Sequence, residues 1–270
     1  MSQATPSRRS VPGHTGIGPG LFLLLSWTVI ATVFAAWTAV TALGLAPAAL
    51  PSPTAVWARG EALFRSGALG AALLASLGRV AAGVALGTFT GLLLGVGAGL
   101  SRYGEALVDR PMQMLRVVPF TALTPLFVLA LGVGEPMKII VIAYAVAIPL
   151  YINTFAGIRD VDRNLVDVAR VYRLSRARIA GQVLLLGALP QVLTGLRFSL
   201  GIAWVALVTV EVIGTRTGLG FLLEQGQQYA RPETVLLVIV VYGVLGALTD
   251  SLVKLLERRL LRWRNAYSGG

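Results

Sequence analysis

Long apolar stretches recur along this chain, and shorter segments between them hold most of its charged residues. Hydrophobic residues make up 56% of the 270 residues and charged residues only 13%, which is typical of a membrane protein rather than a soluble domain. A helix crosses a bilayer in about 20 apolar residues. We therefore predict an all-α, polytopic membrane protein with six transmembrane helices, one for each apolar stretch: 21–45, 69–100, 112–133, 137–158, 191–214 and 234–256.

The distribution of basic residues predicts the orientation of these spans. An even number of spans places both termini on the same side of the membrane. The segments on that side hold 15 of the 23 Lys and Arg residues, and the opposite segments hold five. Because basic loops remain in the cytoplasm, both termini are predicted to be cytoplasmic. The net charge of +11 follows from topology, since a nucleic-acid-binding protein would not spread its arginines between apolar spans.

Composition divides the chain into four parts. Residues 1–20 combine Arg8 and Arg9 with Ser, Pro and Gly, which predicts a disordered cytoplasmic N-terminus. Residues 21–68 hold the first transmembrane helix and an extracytoplasmic linker, residues 69–263 form the main transmembrane domain, and 264–270 are a tail. A cleaved signal peptide is the alternative for the first apolar stretch, but the stretch is longer than the apolar core of a signal.

The segment 159–190 is the longest polar interval between apolar stretches. It contains six arginines: Arg159, Arg163, Arg170, Arg173, Arg176 and Arg178. Apolar residues recur within it at helical spacing, which predicts a short amphipathic helix. The apolar stripe consists of Leu165, Val168, Ala169 and Tyr172. Arginines in a cytoplasmic loop could serve orientation alone, but such a loop has no reason to carry a stripe. We therefore predict a docking surface for a separate protein.

Capping residues mark the ends of the predicted loop helices. Asp160 or Asp162 can accept hydrogen bonds from the first free N–H groups of the amphipathic helix. Ser175 predicts the start of a second short helix, which Gly187 and Pro190 are expected to end before the next apolar stretch.

Two patterns inside the apolar stretches bear on packing and on a pathway. Glycines repeat at every fourth residue of the second stretch and predict close approach of another helix: Gly83, Gly87, Gly91, Gly95 and Gly99. Pro119 and Pro125 predict kinks or a broken helix in the third stretch. The helix of the third stretch either packs against other helices or faces a substrate pathway. Glu211, the carboxylate within the fifth stretch, either takes part in substrate passage or gating or reaches the outer membrane interface.

The candidate residues of a substrate pathway are Arg79, Pro119, Pro125 and Glu211. Arg79, Arg116 and Arg197 lie near the ends of apolar stretches, where long basic side chains usually extend to the lipid headgroups.

Several kinds of chemistry have no residues to support them. The chain has no cysteine and a single histidine, His14, so a thiolate metal site, a zinc-hydrolase motif and a Ser/His pair are all excluded. Its two lysines, Lys138 and Lys254, do not follow a glycine in a phosphate-binding loop. We predict no catalytic residue, no metal and no cofactor in this chain.

The loop resembles the cytoplasmic signature of a known family. Asp167-Val168-Ala169 stands where that signature has Glu-Ala-Ala, Arg173 where glycine is usual, and Val183, Leu185 and Leu186 where it has Ile-x-Leu-Pro, with Leu186 in place of proline. This family is the membrane permease subunits of bacterial ATP-binding-cassette (ABC) importers, with a MetI-like fold. Further stretches are similar to its branch of aliphatic sulfonate, taurine and nitrate permeases: Ser76 to Val80, Gly99 to Arg102, Pro119 to Leu126, Gly132 to Gly134, Gly218 to Gly220 and Leu256 to Arg259.

The resemblance covers residues 69–263 and implies a complete transport system. It implies a homodimer in the bacterial inner membrane, in contact with lipid and not with nucleic acid, an extracytoplasmic substrate-binding protein, and an ABC ATPase that binds ATP and docks on the loop. The substrate implied is a small anion such as an aliphatic sulfonate, taurine or nitrate. The coupling residues implied are Leu165, Asp167, Val168, Ala169, Tyr172, Arg173, Val183 and Leu185.

Two alternatives compete with this interpretation. An ion-coupled secondary transporter or channel would transport without an ATPase. An intramembrane enzyme would need catalytic groups that the chain lacks.

Overall fold

The computed structural model describes residues 19–213 and 215–261, and within this part of the chain every regular element is a helix. The chain divides into two units, Met1–Ala55 and Val56–Gly270. The segment before residue 19, Gly214 and the predicted tail 264–270 lie outside the described residues.

The first unit contains helix α1, Pro19–Ala42. Its 24 residues correspond to a length of about 36 Å at 1.5 Å per residue. The helix ends before Pro47 and Pro51, and the indole Nε1 of Trp37 donates a hydrogen bond to the Pro51 carbonyl over 3.0 Å. The chain that follows the helix is therefore turned back against its last turns.

Nine further helices follow along the described chain. They are α2 (Pro53–Arg65), α3 (Ala68–Leu100), α4 (Arg102–Val117), α5 (Phe120–Leu131), α6 (Glu135–Arg159), α7 (Arg163–Val171), α8 (Arg176–Val212), α9 (Leu219–Gln228) and α10 (Pro232–Leu260). Among the described residues, α3, α6, α8 and α10 are long and apolar enough to cross a membrane, and α4 with α5 forms a fifth span if the bent pair counts as one. The apolar part of α1 whose side chains are described is shorter, Trp27–Ala42.

The bent pair is broken beside Pro119. The axes of α4 and α5 differ by 103°, and Pro119 stands at the start of α5. Val118 adopts an extended backbone, as residues before proline prefer. The Leu115 carbonyl at the end of α4 accepts from the Val118 N–H over 3.1 Å and also from the Tyr144 hydroxyl of α6 over 2.9 Å. Pro125 lies inside α5 without interrupting it.

The predicted break at Gly187 and Pro190 is wrong. One helix, α8, continues from Arg176 through Pro190 to Val212, with a π-helical segment at Ile179–Leu185. A π-helical turn is wider than an α-helical one, and this one directly precedes the turn whose hydrogen bond Pro190 cannot make. Close packing of Gly157 on α6 against Ala188 and Gln191 further holds the helix together at this point.

Helices α3, α6 and α8 form the core of the second unit. Gly83 faces Ile142 and Gly99 faces Ile158, so α3 and α6 run in the same direction. Helix α8 runs the opposite way against α6, because Gly195 faces Asn153 and the Ser199 hydroxyl donates to the Val146 carbonyl over 2.9 Å. The carboxyl end of α6 and the amino end of α8 therefore meet at one end of this core, and α7 connects them there.

Candidate functional site

Helix α7 has well-defined ends. Asp162 caps its start by accepting a hydrogen bond from the Asn164 N–H over 2.9 Å. After the last turn, Arg173 adopts a left-handed backbone with φ of 54°, and the Leu174 N–H donates to the Ala169 carbonyl over 3.0 Å. This is the geometry in which helices usually end on glycine. The tight turn therefore forms with arginine at the position where the ABC permease signature has glycine.

The apolar stripe of α7 borders an open groove. Leu165 and Val168 are each more than half exposed and Tyr172 is 78% exposed, whereas Ala169 is buried. The groove has a volume of about 700 Å³, and we call it the coupling groove. Its lining comes from α7 and the start of α8 and consists of Leu165, Val168, Ala169, Tyr172, Leu174, Gln182, Val183, Leu186 and Gly187.

The remaining loop residues surround the groove. Asp167 lies 3.1 Å from Arg170 in an exposed ion pair, which contributes little to stability. Leu185 is partly exposed and lies outside the lining, although its neighbours Val183 and Leu186 belong to it. Contact of these residues with a partner stays a prediction.

The left-handed backbone at Arg173 leads to a stability prediction. Replacing Arg173 by glycine removes the clash of Cβ with the backbone, so we expect the free energy of unfolding to rise by up to about 1 kcal/mol. The same replacement at Arg170, inside α7, is expected to lower it by up to about 1 kcal/mol. Unfolding of both variants in detergent measures these changes in the free energy of unfolding. Equal changes at the two positions would contradict the left-handed backbone at Arg173.

A cluster of charged side chains lies at the other end of the core. The Arg79 guanidinium of α3 donates through Nε and Nη2 to both carboxylate oxygens of Glu135, each over 2.8 Å. Its Nη1 donates to Glu211 and to the Thr217 carbonyl, each over 2.7 Å, and Nη2 also donates to the Thr217 hydroxyl over 3.1 Å. All five N–H donors of Arg79 are therefore used.

Glu211 is the most deeply buried charged residue of this cluster, with no exposed surface. The Ser76 hydroxyl donates to its carboxylate over 2.8 Å, and the Gly220 N–H donates to it over 2.8 Å. Ser76 in turn accepts from the Leu219 N–H over 2.9 Å. The carboxylate is thus bonded on all sides, as a buried charge requires.

Lys138 completes the cluster. Its ammonium lies 2.8 Å from Glu135, whose side chain is half exposed. Two basic and two acidic groups then balance in charge. We call this group, Arg79, Glu135, Lys138 and Glu211 with Ser76 and Thr217, the charge cluster.

The charge cluster corrects one expectation and adds residues that the sequence did not single out. Arg79 is buried, so it does not extend to the headgroups. Ser76, Glu135 and Thr217 were not predicted as partners of Arg79 and Glu211, because the residues of the cluster come from α3, from α6, from α8 and from the segment after α8. The sequence held one signal, Gly218-Leu219-Gly220: a Cβ at Gly220 would lie 2.5 Å from the Glu211 Cβ, and Gly218 has a φ of 121°.

The other predicted site residues occupy two different places. The five glycines of α3 all lie against α6, where a Cβ at Gly87 or Gly91 would come within 2.7 Å of an α6 carbonyl oxygen. Pro119 and Pro125 lie in the broken helix, and their part in a pathway stays a prediction, as does that of Arg79 and Glu211. In the described residues no group of His, Asp or Glu side chains is arranged to hold a metal ion.

A core of close-packed apolar helices, a broken helix and an exposed amphipathic loop helix together define a multi-pass membrane protein. The family model described as "Binding-protein-dependent transport system inner membrane component" matches residues 87–262. The chain is 42% identical over 262 residues to the "Putative aliphatic sulfonates transport permease protein SsuC" of Bacillus subtilis (strain 168), covering 97% of this chain and 94% of that protein. The chain belongs to this family of inner-membrane permeases and is the permease subunit of an ABC importer.

Further relatives and solved structures agree with this assignment. The SsuC protein of Escherichia coli (strain K12) is 39% identical, covering 94% of this chain and 97% of that protein. The taurine transport system permease protein TauC of the same organism is 33% identical, covering 87% of this chain and 86% of that protein. A crystal structure of an amino acid ABC transporter with histidines matches with a TM-score of 0.62 at 19% identity, covering 75% of this chain and 96% of that one. The inward-facing MetNI methionine ABC transporter matches with a TM-score of 0.59 at 17% identity, covering 70% and 95%. These two likenesses show the fold alone.

Proposed function

We propose that this chain forms the transmembrane pathway for a small organic anion of the aliphatic sulfonate class and couples to a separate ATPase through the coupling groove. The observation that carries the coupling is the exposed apolar lining from Leu165 to Tyr172. Apolar surface of this kind on a charged loop favours a protein partner. The two SsuC relatives at 42% and 39% identity support the substrate class.

The position of the groove suits a separate ATPase. Helix α7 follows the last residue of α6, Arg159, by three residues, and α8 begins at Arg176 shortly after α7 ends. A partner seated in the groove would therefore act on both helices. ATP is bound and hydrolysed by that partner, and this chain supplies no cofactor.

We further propose that the chain works as a homodimer with both termini in the cytoplasm. Glycines close the contacts between α3 and α6 and between α6 and α8, and this close packing supports a central pathway that forms between two copies. The bias of basic residues supports this orientation. It places the coupling groove on the cytoplasmic side of the membrane and the charge cluster at the outer, extracytoplasmic end. An extracytoplasmic binding protein would deliver substrate at that outer end.

The broken helix is our candidate for the pathway wall. Irregular backbone at membrane depth is tolerated where it is buried in protein or faces a water-filled cavity. Pro119 starts α5 after the break and Pro125 lies within it. Both prolines are therefore proposed to lie beside the route of the substrate, in contact with the partner protomer or with water.

Reconstitution tests the function directly. Proteoliposomes that contain this chain with its ATPase and binding protein are expected to take up ethanesulfonate only when ATP is present on the ATPase side. Liposomes with this chain alone are expected to show no uptake under a proton or sodium gradient. Gradient-driven uptake by the chain alone would establish the secondary transporter instead, and ATP-dependent uptake of bicarbonate but not ethanesulfonate would contradict the substrate class.

A matched pair of variants tests the coupling groove. Val168→Asp places a charge in the lining, so we expect association with the ATPase to weaken by about 2 kcal/mol, which is more than tenfold. Val171→Asp places the same charge on the same helix, at a residue that is 81% exposed and outside the lining. It is expected to bind the ATPase normally. Equal binding by both variants, measured by co-purification and titration, would rule out the groove as the docking surface.

A further inference from the structure

We propose that the charge cluster is a clamp: it holds together the outer ends of α3, α6 and α8, which we call the lever, throughout the transport cycle. The inference rests on the proposed coupling to an ATPase and deepens it. It gives Arg79, Glu135 and Glu211 a part in transmitting motion from the coupling groove across the membrane.

The inner end of this lever lies at the coupling groove. The loop that carries α7 is the direct connection between α6 and α8. Beside it, a Cβ at Gly157 of α6 would lie 2.8 Å from the Gln191 Cβ of α8, so the two backbones are already as close as side chains allow. A displacement of α7 therefore reaches α6 and α8 together.

The middle of the lever is a continuous seam of small residues. Along α3, a Cβ would lie 2.5 Å from the Ala143 carbonyl oxygen at Gly87, 2.7 Å from the Ala147 carbonyl oxygen at Gly91 and 2.7 Å from the Thr154 Cβ at Gly95. Backbone atoms cannot move aside as flexible side chains can. Helices packed this closely resist sliding and rotation against each other.

The charge cluster lies at the outer end of these helices. Arg79 belongs to α3, Glu135 begins α6 and Glu211 stands one residue before the end of α8. Arg79 Nη1 lies 2.7 Å from Glu211 and Nη2 lies 2.8 Å from Glu135. One guanidinium thus joins all three helices.

The same hydrogen bonds argue against a role in binding substrate. An anion recognised by Arg79 would need a free N–H group, and every one is already bonded within the protein. Separating Arg79 from Glu211 would leave the buried Glu211 carboxylate without its ionic partner, which is strongly unfavourable. The cluster is therefore expected to stay closed while the helices move.

Loosening the clamp should uncouple transport from ATP hydrolysis. If the outer ends are no longer held together, a push at the groove bends the helices apart instead of tilting them as a unit. The ATPase would continue to turn over on its docking surface while less substrate crosses. A merely structural defect would instead lower the folded amount and both activities in proportion.

Glu135→Gln is the variant that tests the clamp, because the side chain is half exposed and its replacement leaves Arg79 paired with Glu211. In proteoliposomes with ATPase and binding protein, we expect substrate transported per ATP hydrolysed to fall several-fold, while ATPase activity persists. Glu233→Gln is the matched control. Glu233 lies in the first turn of α10 at the same end, and within the described chain it forms no ion pair. It should leave the ratio unchanged.

Hydrogen exchange tests whether the clamp stays closed. The amides of Leu219 and Gly220 donate to Ser76 and Glu211 inside the cluster, so their exchange reports opening of the cluster between α3 and α8. In the whole complex we expect these amides to exchange equally slowly without nucleotide, with ATP and after vanadate trapping. The amount of trapped nucleotide is measured to verify that the complex has changed state. Exchange of these amides at least about tenfold faster in one state would show a gate that opens and overturn the proposal, as would an unchanged transport ratio in Glu135→Gln.

The two proposals fail in different ways. If the unaltered complex shows no ATP-dependent uptake, the proposed function is wrong. If it transports, but the clamp opens or Glu135→Gln transports with normal coupling, only the lever is wrong.

Discussion

Replacement of Glu211 by alanine is expected to give the largest loss of stability of any single substitution in this protein. The change leaves the buried Arg79 guanidinium without the carboxylate 2.7 Å from its Nη1, and it leaves the Ser76 hydroxyl and Gly220 N–H without their acceptor. Removing one partner of a buried ion pair costs about 3–5 kcal/mol. Folded protein recovered from membranes, and its unfolding temperature in detergent, should both fall sharply.

Two controls separate the loss of charge pairing from other effects. Glu224→Ala, on α9, removes a carboxylate whose hydrogen bond among the described residues is an exposed one from Gln228. It should change the free energy of unfolding by no more than about 0.5 kcal/mol. The double variant Arg79→Met with Glu211→Leu removes both charges and should recover part of the lost stability. A double variant less stable than Glu211→Ala alone would show that packing, and not the unpaired charge, causes the loss.

Replacement of Gly87 by alanine is expected to be the second large effect, although it adds a single methyl group. The new Cβ would lie 2.5 Å from the Ala143 carbonyl oxygen and 2.7 Å from the Val146 Cβ. To accept it, α3 must move away from α6 and lose contacts along the seam, at a cost of about 1–3 kcal/mol. The unfolding temperature of the purified protein measures this loss.

Gly78 provides the matched control for this prediction. It lies in the same helix, and a Cβ there would meet no atom within 4 Å. Because alanine favours the helix more than glycine does, Gly78→Ala is expected to be neutral or to stabilise by up to about 1 kcal/mol. The same replacement of glycine by alanine in one helix should thus change the free energy of unfolding in opposite directions at the two positions. Equal effects at the two positions would contradict the close packing of α3 on α6.

The large effects concern residues whose role depends on neighbours that are distant in the chain. Glu211 is 132 residues from Arg79, and Gly87 meets Ala143 of a different helix. The substitutions at Val168 and Arg173, in contrast, act within one short loop. Their expected effects are on partner binding or on a single turn, and they leave the core intact.

Local patterns were enough to establish much about this protein. Apolar stretches of membrane length, a glycine at every fourth position of α3 and an apolar stripe from Leu165 to Tyr172 are properties of single helices. A helix satisfies its own backbone hydrogen bonds, so its length, its faces and its caps can be read from consecutive residues. The all-α membrane fold, the amphipathic loop helix capped by Asp160 or Asp162, and a kink or break at Pro119 or Pro125 all follow from this.

The tertiary structure alone decided which of these faces meet and what the intramembrane charges do. Arg79 and Glu211 each resembled a side chain that reaches the membrane surface, until the fold brought Ser76, Glu135 and Thr217 around them. Pro190 resembled a helix end, yet the helix continues past it, where Gly157 packs against Ala188 and Gln191. Pairing between distant segments depends on how whole helices pack together, and no spacing within one segment records that information.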